Sequence, residues 1–203
     1  MSPDFRCEAI SWRQVDQLLR TVAEAIRAAR FQPELIVAIA RGGFVPARLL
    51  CDQLGVMELA SFRIEHYQGQ QREARARVRH PLNVELGGRR VLVVDDLSDT
   101  GETFEVAMQH ILERGASEAR SAALHYKLGS KVEPDFYAKR VRQWRWLSYP
   151  WARMEDLTGL MGKLETLPDS PEQAMRELRS RYGLRVPKGE VVDALRLMGR
   201  SDV

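Results

Sequence analysis

The chain has 203 residues, with 31 basic and 28 acidic side chains for a formal net charge of +3; this length suits one domain with a small appendage and is ample for a core. Such a balance gives no reason to expect nucleic acid as a partner, although a local basic cluster would still attract a phosphate-rich substrate. Cys7 and Cys51 are too few for a disulfide framework and sit in no metal-ligand spacing; no apolar stretch approaches a membrane span, and the opening residues carry no signal-type apolar core, so a reducing, cytoplasmic setting is expected.

Ser11-x-x-Gln14 reads as a capping box. Val15, Leu18, Leu19, Val22 and Ile26 follow at helical spacing, which predicts an amphipathic helix ending near Arg30 and stopped by Pro33. Leu35–Ala40 is a continuous apolar run, the pattern of a strand buried on both faces. Arg41-Gly42-Gly43 follows it, and a helix is predicted from Phe44 to Leu54 with Gly55 as its stop. Taken alone, Arg-Gly-Gly reads as an ordinary tight turn. Yet glycines admit an anion close to the backbone, and an arginine there can fork onto phosphate oxygens.

A third strand is expected over Met57–Ile64. Residues 65–80 are polar, Arg-rich and long for a connection. Two readings stay open for them: a lid that closes over a site, or a solvated β-hairpin. Gly87-Gly88 then turns the chain into Val91–Val94, a second buried-strand pattern. The run leads into Asp95 and Asp96, then the short turn Leu97-Ser-Asp99-Thr100-Gly101-Glu102-Thr103. Two acids at a strand tip can grip hydroxyls or a magnesium-bound group. A turn that opens a helix presents free N–H groups to phosphate. Acids for a sugar diol beside amides for its phosphate describe a phosphorylated-ribose site.

Phe104, Val106, Ala107, Met108, Ile111 and Leu112 predict the helix after this turn, ending at Gly115. Ala119–Tyr126 is the next strand, with Lys127 at its tip. Strands alternating with helices imply βαβ units and a parallel sheet. Ligands of such sheets sit beyond the C-terminal strand ends, which puts Arg41, Asp95, Asp96 and Lys127 along one edge. Val141–Trp151 is dense in aromatics, by default core or interface anchors. Two more helices are predicted, one from Ser170-Pro171 to Gly183 and one from Gly189 to Met198. With Arg176, Arg179, Arg181, Arg185 and Arg196 this pair imitates a DNA-binding helix-turn-helix. The preferred reading is an appendage that packs on the domain or pairs two subunits, so a homodimer is expected.

The stretch from Val91 to Thr103 closely resembles the phosphoribosyl-pyrophosphate (PRPP) motif of type I phosphoribosyltransferases. The resemblance covers about residues 33–151, and the nearest group looks like the compact prokaryotic 6-oxopurine enzymes that act on hypoxanthine, guanine or xanthine. It implies an α/β fold: a Rossmann-like parallel sheet flanked by helices, with a small hood and a C-terminal helical appendage. The transferase domain would span residues 1–153, with a lid at about 65–80 and a base hood at about 141–151; residues 154–203 would be the appendage. The implied reaction moves ribose 5-phosphate from PRPP to a purine nitrogen, releases pyrophosphate and uses magnesium, in purine salvage. The implied partners are PRPP and the base.

By the same resemblance, Asp95 and Asp96 take the ribose hydroxyls and, through water, magnesium. Asp99, Thr100, Gly101, Glu102 and Thr103 form the 5′-phosphate loop, with Glu102 turned away or capping the helix, and Asp99 is the candidate general base. Arg41, Gly42 and Gly43 form the pyrophosphate loop, which in the family often holds a non-proline cis peptide. Lys127 bonds the 6-oxo oxygen; as an ammonium offers donors only, it favours a 6-oxopurine over adenine. Trp146 covers the purine face and the Leu147 backbone reads the exocyclic group. His66-Tyr67 stands where relatives often carry a Ser-Tyr pair on the lid. Ala152 follows Trp151 where relatives often have an acid for a 2-amino group, which leans the reading toward hypoxanthine, with Glu155 or Asp156 as substitutes. Two alternatives stay open: a transferase of another base, and a PRPP-sensing regulator whose C-terminal helices bind nucleic acid.

Overall fold

The computed structural model describes residues 5–67 and 75–200. The chain forms two compact units: Val15–Arg142, and the stretch up to Gln14 together with Gln143 onward. The aromatic segment after Gln143 therefore groups with the C-terminal helices, earlier than the boundary expected at 153/154.

The larger unit is built on a six-stranded sheet. Its strands are β2 (Leu35–Ala40), β3 (Leu59–Tyr67), β4 (Arg75–His80), β5 (Arg90–Ser98), β6 (Glu118–Lys127) and β7 (Phe136–Val141), in the spatial order β4-β3-β2-β5-β6-β7. All neighbours run parallel except β3 and β4. The helices of this unit are α1 (Trp12–Ala28, which starts before the unit boundary), α2 (Phe44–Leu54) and α3 (Glu102–Glu113). From β2 the chain steps outward to β3 and β4, then returns to lay β5 on the other side of β2. The strand order reverses there, so a crevice opens beyond the C-terminal ends of β2 and β5.

The continuous apolar runs of β2 and β5 are buried because the sheet is covered on both faces. Val37, Ile39, Val91, Val93, Phe104, Ala107 and Ile111 share one core cluster with Phe62 and Leu86. The capping box forms as expected: Ser11 N donates to Gln14 Oε1 at 2.9 Å and Gln14 N to Ser11 Oγ at 3.3 Å. The buried residues of α1 include Val15, Leu19, Val22 and Ile26, the stripe that helical spacing marks out.

The 65–80 stretch is not an open loop throughout. Its ends are the antiparallel arms of β3 and β4, with His66 opposite Ala76 and Tyr67 opposite Arg75. Residues 68–74, the middle of the expected lid, lie outside the described residues, as do the side chains of His66, Tyr67 and Arg75.

In the smaller unit β1 (Cys7–Ala9) pairs in parallel with β8 (Trp146–Ser148). A turn of 3-10 helix at Pro150–Ala152 leads into α4 (Arg153–Met161), followed by α5 (Pro171–Tyr182) and α6 (Lys188–Leu197). The last two match the predicted helices; α4 was not anticipated. Leu157, Leu160 and Met161 of α4 pack with Ala174 and Leu178 of α5 and Val191, Ala194 and Leu195 of α6, so the three helices share a core of their own. Ser170 caps α5, its Oγ accepting from Gln173 N at 3.2 Å.

Candidate active site

The acid pair lies one step further inside the sheet than its sequence suggests. β5 continues through Asp95 and Asp96 to Ser98, so the acids stand inside the strand rather than at its tip, and Leu97 and Ser98 belong to the strand rather than to the turn. Asp95 and Asp96 are half-buried. Burial, and then the neighbouring Asp96 charge, pushes the Asp95 carboxyl well above the usual carboxylate range. The Asp96 N–H, donating to Asp95 Oδ1 at 2.9 Å, opposes that shift.

The turn after β2 lies against this pair. A Cβ at Gly42 would stand 2.6 Å from Asp96 Oδ1 and 2.8 Å from Asp95 Oδ1; one at Gly43 would stand 2.2 Å from the Val94 carbonyl oxygen. Backbone atoms crowd Gly43, so packing requires glycine there, whereas a side chain at Gly42 would displace the two carboxylates. The glycines thus bring the backbone of the Arg41–Gly43 turn to the carboxylates. The Ala40–Arg41 peptide is cis.

The loop 99–101 and the first turn of α3 follow β5. Gly101 has φ +88°, and a Cβ there would meet Val132 N at 2.5 Å and Ser130 Oγ at 2.7 Å. A left-handed conformation and a neighbouring backbone both demand glycine. No pattern in the sequence marks the segment behind it. Lys131 N donates to the Thr100 carbonyl at 2.8 Å. Ser98 Oγ lies 2.9 Å from Ser130 Oγ and donates to the Val132 carbonyl at 3.1 Å. Residues 130–132 therefore buttress the loop from behind. Glu102 faces Lys131 Nζ at 3.4 Å, and its N–H lies 3.4 Å from Thr100 Oγ1. The first turn of α3 carries the positive end of the helix dipole, the arrangement that suits a phosphate.

At the neighbouring strand end, Lys127 Nζ donates to Asp99 Oδ2 at 2.9 Å. The lysine side chain is 4% exposed and the aspartate 43%. The strand pairing that sets Ser98 beside Tyr126 brings the two together. The sheet thus gathers Arg41, Gly42, Gly43, Asp95, Asp96, Asp99 and Lys127 at one C-terminal edge, as the βαβ pattern implies.

Trp146 and Leu147 belong to the smaller unit. β8 holds them through its pairing with β1, Cys7 opposite Trp146 and Glu8 opposite Leu147. Leu147 is buried, while Trp146 is 42% exposed. The Trp146 indole N–H donates to Asp156 Oδ1 at 2.9 Å, and Ser148 Oγ donates to Asp156 Oδ2 at 2.5 Å. Each oxygen of this buried carboxylate thus accepts a hydrogen bond, and Asp156 anchors the indole. Burial raises the Asp156 pKa, and the two donors pull it back in part. No signal in the sequence marks this contact; it joins residues on a strand and a helix.

Among the described residues no group of three or more His, Cys, Asp or Glu side chains is placed to hold a metal ion. Two adjacent carboxylates instead fit an ion such as magnesium, which keeps several waters and takes substrate phosphate oxygens as ligands.

A family model described as "Phosphoribosyl transferase domain" matches residues 11–152. The chain is 32% identical over 116 residues to a xanthine-guanine phosphoribosyltransferase of Nitratidesulfovibrio vulgaris, covering 57% of this chain and 67% of that protein. It resembles the crystal structure of a purine phosphoribosyltransferase from Pyrococcus horikoshii, with TM-score 0.64 and 34% identity over 71% of this chain and 93% of the other. It also resembles a hypothetical protein of Neisseria gonorrhoeae solved with bound ppGpp, with TM-score 0.62 and 26% identity over 72% and 89% of the two chains.

Proposed function

The chain belongs to the phosphoribosyl transferase domain family, and from that membership we propose that it moves the 5-phosphoribosyl group of PRPP onto a ring nitrogen of a 6-oxopurine, releasing pyrophosphate, in purine salvage. The observation that carries this reading is the packing of Gly42 against both Asp95 and Asp96. A diphosphate-binding backbone and a diol-binding acid pair are then neighbours in the crevice where the sheet order reverses.

In this reading Asp95 and Asp96 hold the ribose hydroxyls and place negative charge beside the carbon that develops oxocarbenium character. The backbone of Asp99, Thr100, Gly101, Glu102 and Thr103 receives the 5′-phosphate. Arg41 and the Gly42–Gly43 backbone receive the pyrophosphate as its bond to the ribose carbon breaks. The purine nitrogen forms the new bond and loses its proton to Asp99. Lys127, held on Asp99, is the donor assigned to a 6-oxo oxygen. The Trp146 ring is assigned to the face of the base and the Leu147 backbone to its exocyclic group. The lid, including His66 and Tyr67, excludes water from the reacting carbon. Asp95 and Asp96 would hold a magnesium ion through water, and that ion would supply charge neutralisation to the departing pyrophosphate.

Enzyme rather than sensor is favoured because the acid pair, the glycine turn and the Asp99–Lys127 pair are all in place together. A homodimer and a cytoplasmic setting complete the reading; light scattering that gives the mass of a single chain at working concentration would remove the dimer. The substrate assignment is tested by chromatography of the nucleotides formed from PRPP with hypoxanthine, guanine, xanthine, adenine and uracil, for the natural chain and for Lys127→Ala. The expected result is a 6-oxopurine nucleotide whose yield at low base concentration falls sharply in the variant. Adenine or uracil as the sole acceptor would replace this reading with a transferase of another base.

A further inference from the structure

The smaller unit carries a pocket of its own, about 430 Å³ in volume, lined by α5 and the segment that follows it. That volume falls within the ~300–1,000 Å³ of small-molecule sites. Its floor is apolar: Leu178 and Leu184 are buried and Met175 is half-buried. Arg176, Arg179 and Arg185 line it as exposed side chains. Glu172, Arg176 and Arg179 stand at i, i+4 and i+7, so α5 presents them on one face.

The charges of this pocket are not balanced from within. Among the described residues Glu172 is the only acid lining it, and it is taken by Lys188 Nζ at 2.5 Å. Arg181, on the same helix, is paired with Glu177 at 3.1 Å. The side chains of Arg176, Arg179 and Arg185 make no hydrogen bond or ion pair with the described residues, although the Arg176 charge acts on Glu172 at longer range. Three guanidinium forks therefore line the apolar floor with positive charge in excess of the single acid. A carboxylate has two oxygens to offer such a set, whereas a phosphate monoester has three terminal oxygens and close to two charges. Inorganic phosphate alone would leave the apolar floor to water. Guanidinium planes also stack on flat rings.

We propose that this pocket binds a small phosphate monoester with an apolar or aromatic body, the class that includes nucleoside monophosphates. The inference concerns one unit by itself and does not rest on the transferase reading.

The test is photolabelling of the full chain with 8-azido-AMP, followed by peptide mapping. AMP, GMP, IMP, adenosine, inorganic phosphate and a single-stranded oligonucleotide serve as competitors. Label is expected within residues 172–186, displaced by the three monophosphates and poorly by adenosine or inorganic phosphate. The triple variant Arg176→Gln, Arg179→Gln, Arg185→Gln should lower that labelling by about tenfold or more, the scale of losing a charged hydrogen bond. Single Arg179→Gln gives the same test if the triple variant does not fold. Absence of label within 172–186, labelling there indifferent to the substitutions, or equal displacement of it by adenosine would overturn the proposal; label at the β2–β5 crevice belongs to the product site of the transferase reading. Displacement by the oligonucleotide alone would replace it with a nucleic-acid surface. A parallel run on Asp95→Asn/Asp96→Asn should keep the label at 172–186, whatever that variant does to transfer, so the two readings fail separately.

Discussion

Lys127 Nζ reaches Asp99 Oδ2 across 2.9 Å, a nearly buried cation joined to a half-exposed carboxylate at the sheet edge. The pair fixes the group assigned to the proton and the group assigned to the 6-oxo oxygen with one bond. Asp99→Asn keeps the shape and removes the base, so kcat should fall about 10²- to 10⁴-fold, the usual worth of a positioned general base. Lys127→Ala should instead raise KM for 6-oxopurines and leave KM for PRPP nearly unchanged. Steady-state kinetics with each substrate varied in turn check both; equal losses in both KM values for Lys127→Ala would remove its assignment to the base.

Gly43 has no room for a side chain, since an added Cβ would lie 2.2 Å from the Val94 carbonyl oxygen. Gly43→Ala must push the turn away from β5, at a cost of about 1–3 kcal/mol for overpacking. Urea unfolding should register this loss. The displaced turn should also raise KM for PRPP with little change in KM for the base. An alanine variant with natural stability and KM would mean that the turn does not touch the strand as described.

Asp156 couples a pH dependence to the aromatic hood. Burial raises its folded-state pKa above the unfolded carboxylate value of about 4. The folded chain then binds the proton more tightly than the unfolded one. The stabilisation from this group is full below the unfolded pKa and is lost as pH rises through the folded pKa. Asp156→Asn still accepts from Trp146 and can donate to Ser148, yet it does not titrate. Its stability relative to the natural chain should therefore increase as pH rises from about 4 across that window. Denaturant titrations at several pH values read this out; a constant difference would contradict the raised carboxyl. Asp156→Ala, which frees the indole, should weaken base binding about tenfold, the scale of a charge-assisted hydrogen bond.

The parts legible in the sequence are those in which local pattern and burial agree. β2 and β5 read as buried strands because every residue of Ile36–Ile39 and Val91–Val94 is buried. The capping box and the Pro171 helix start announced α1 and α5. β7 shows no strand pattern because Phe-Tyr-Ala-Lys-Arg-Val mixes polar and apolar side chains on a sheet-edge strand. β1 and β8, of three residues each, are too short to show any period. α4 was hidden because Arg153 and Asp156 are buried on its inner face, where a pattern reader places apolar residues. At the site, the motif residues lie in consecutive stretches and could be read directly. The Ser98–Ser130 contact spans 32 positions, and only the fold brings it together.

The central claim is that the crevice between β2 and β5 activates PRPP toward a purine. The most direct measurement is pyrophosphate release from PRPP and magnesium, with and without hypoxanthine, guanine or xanthine, for the natural chain and Asp95→Asn/Asp96→Asn. The account predicts release that depends on a 6-oxopurine and is abolished in the double variant while the variant remains folded. Release indifferent to the acid pair, or tight PRPP binding with no release on any base, would contradict it.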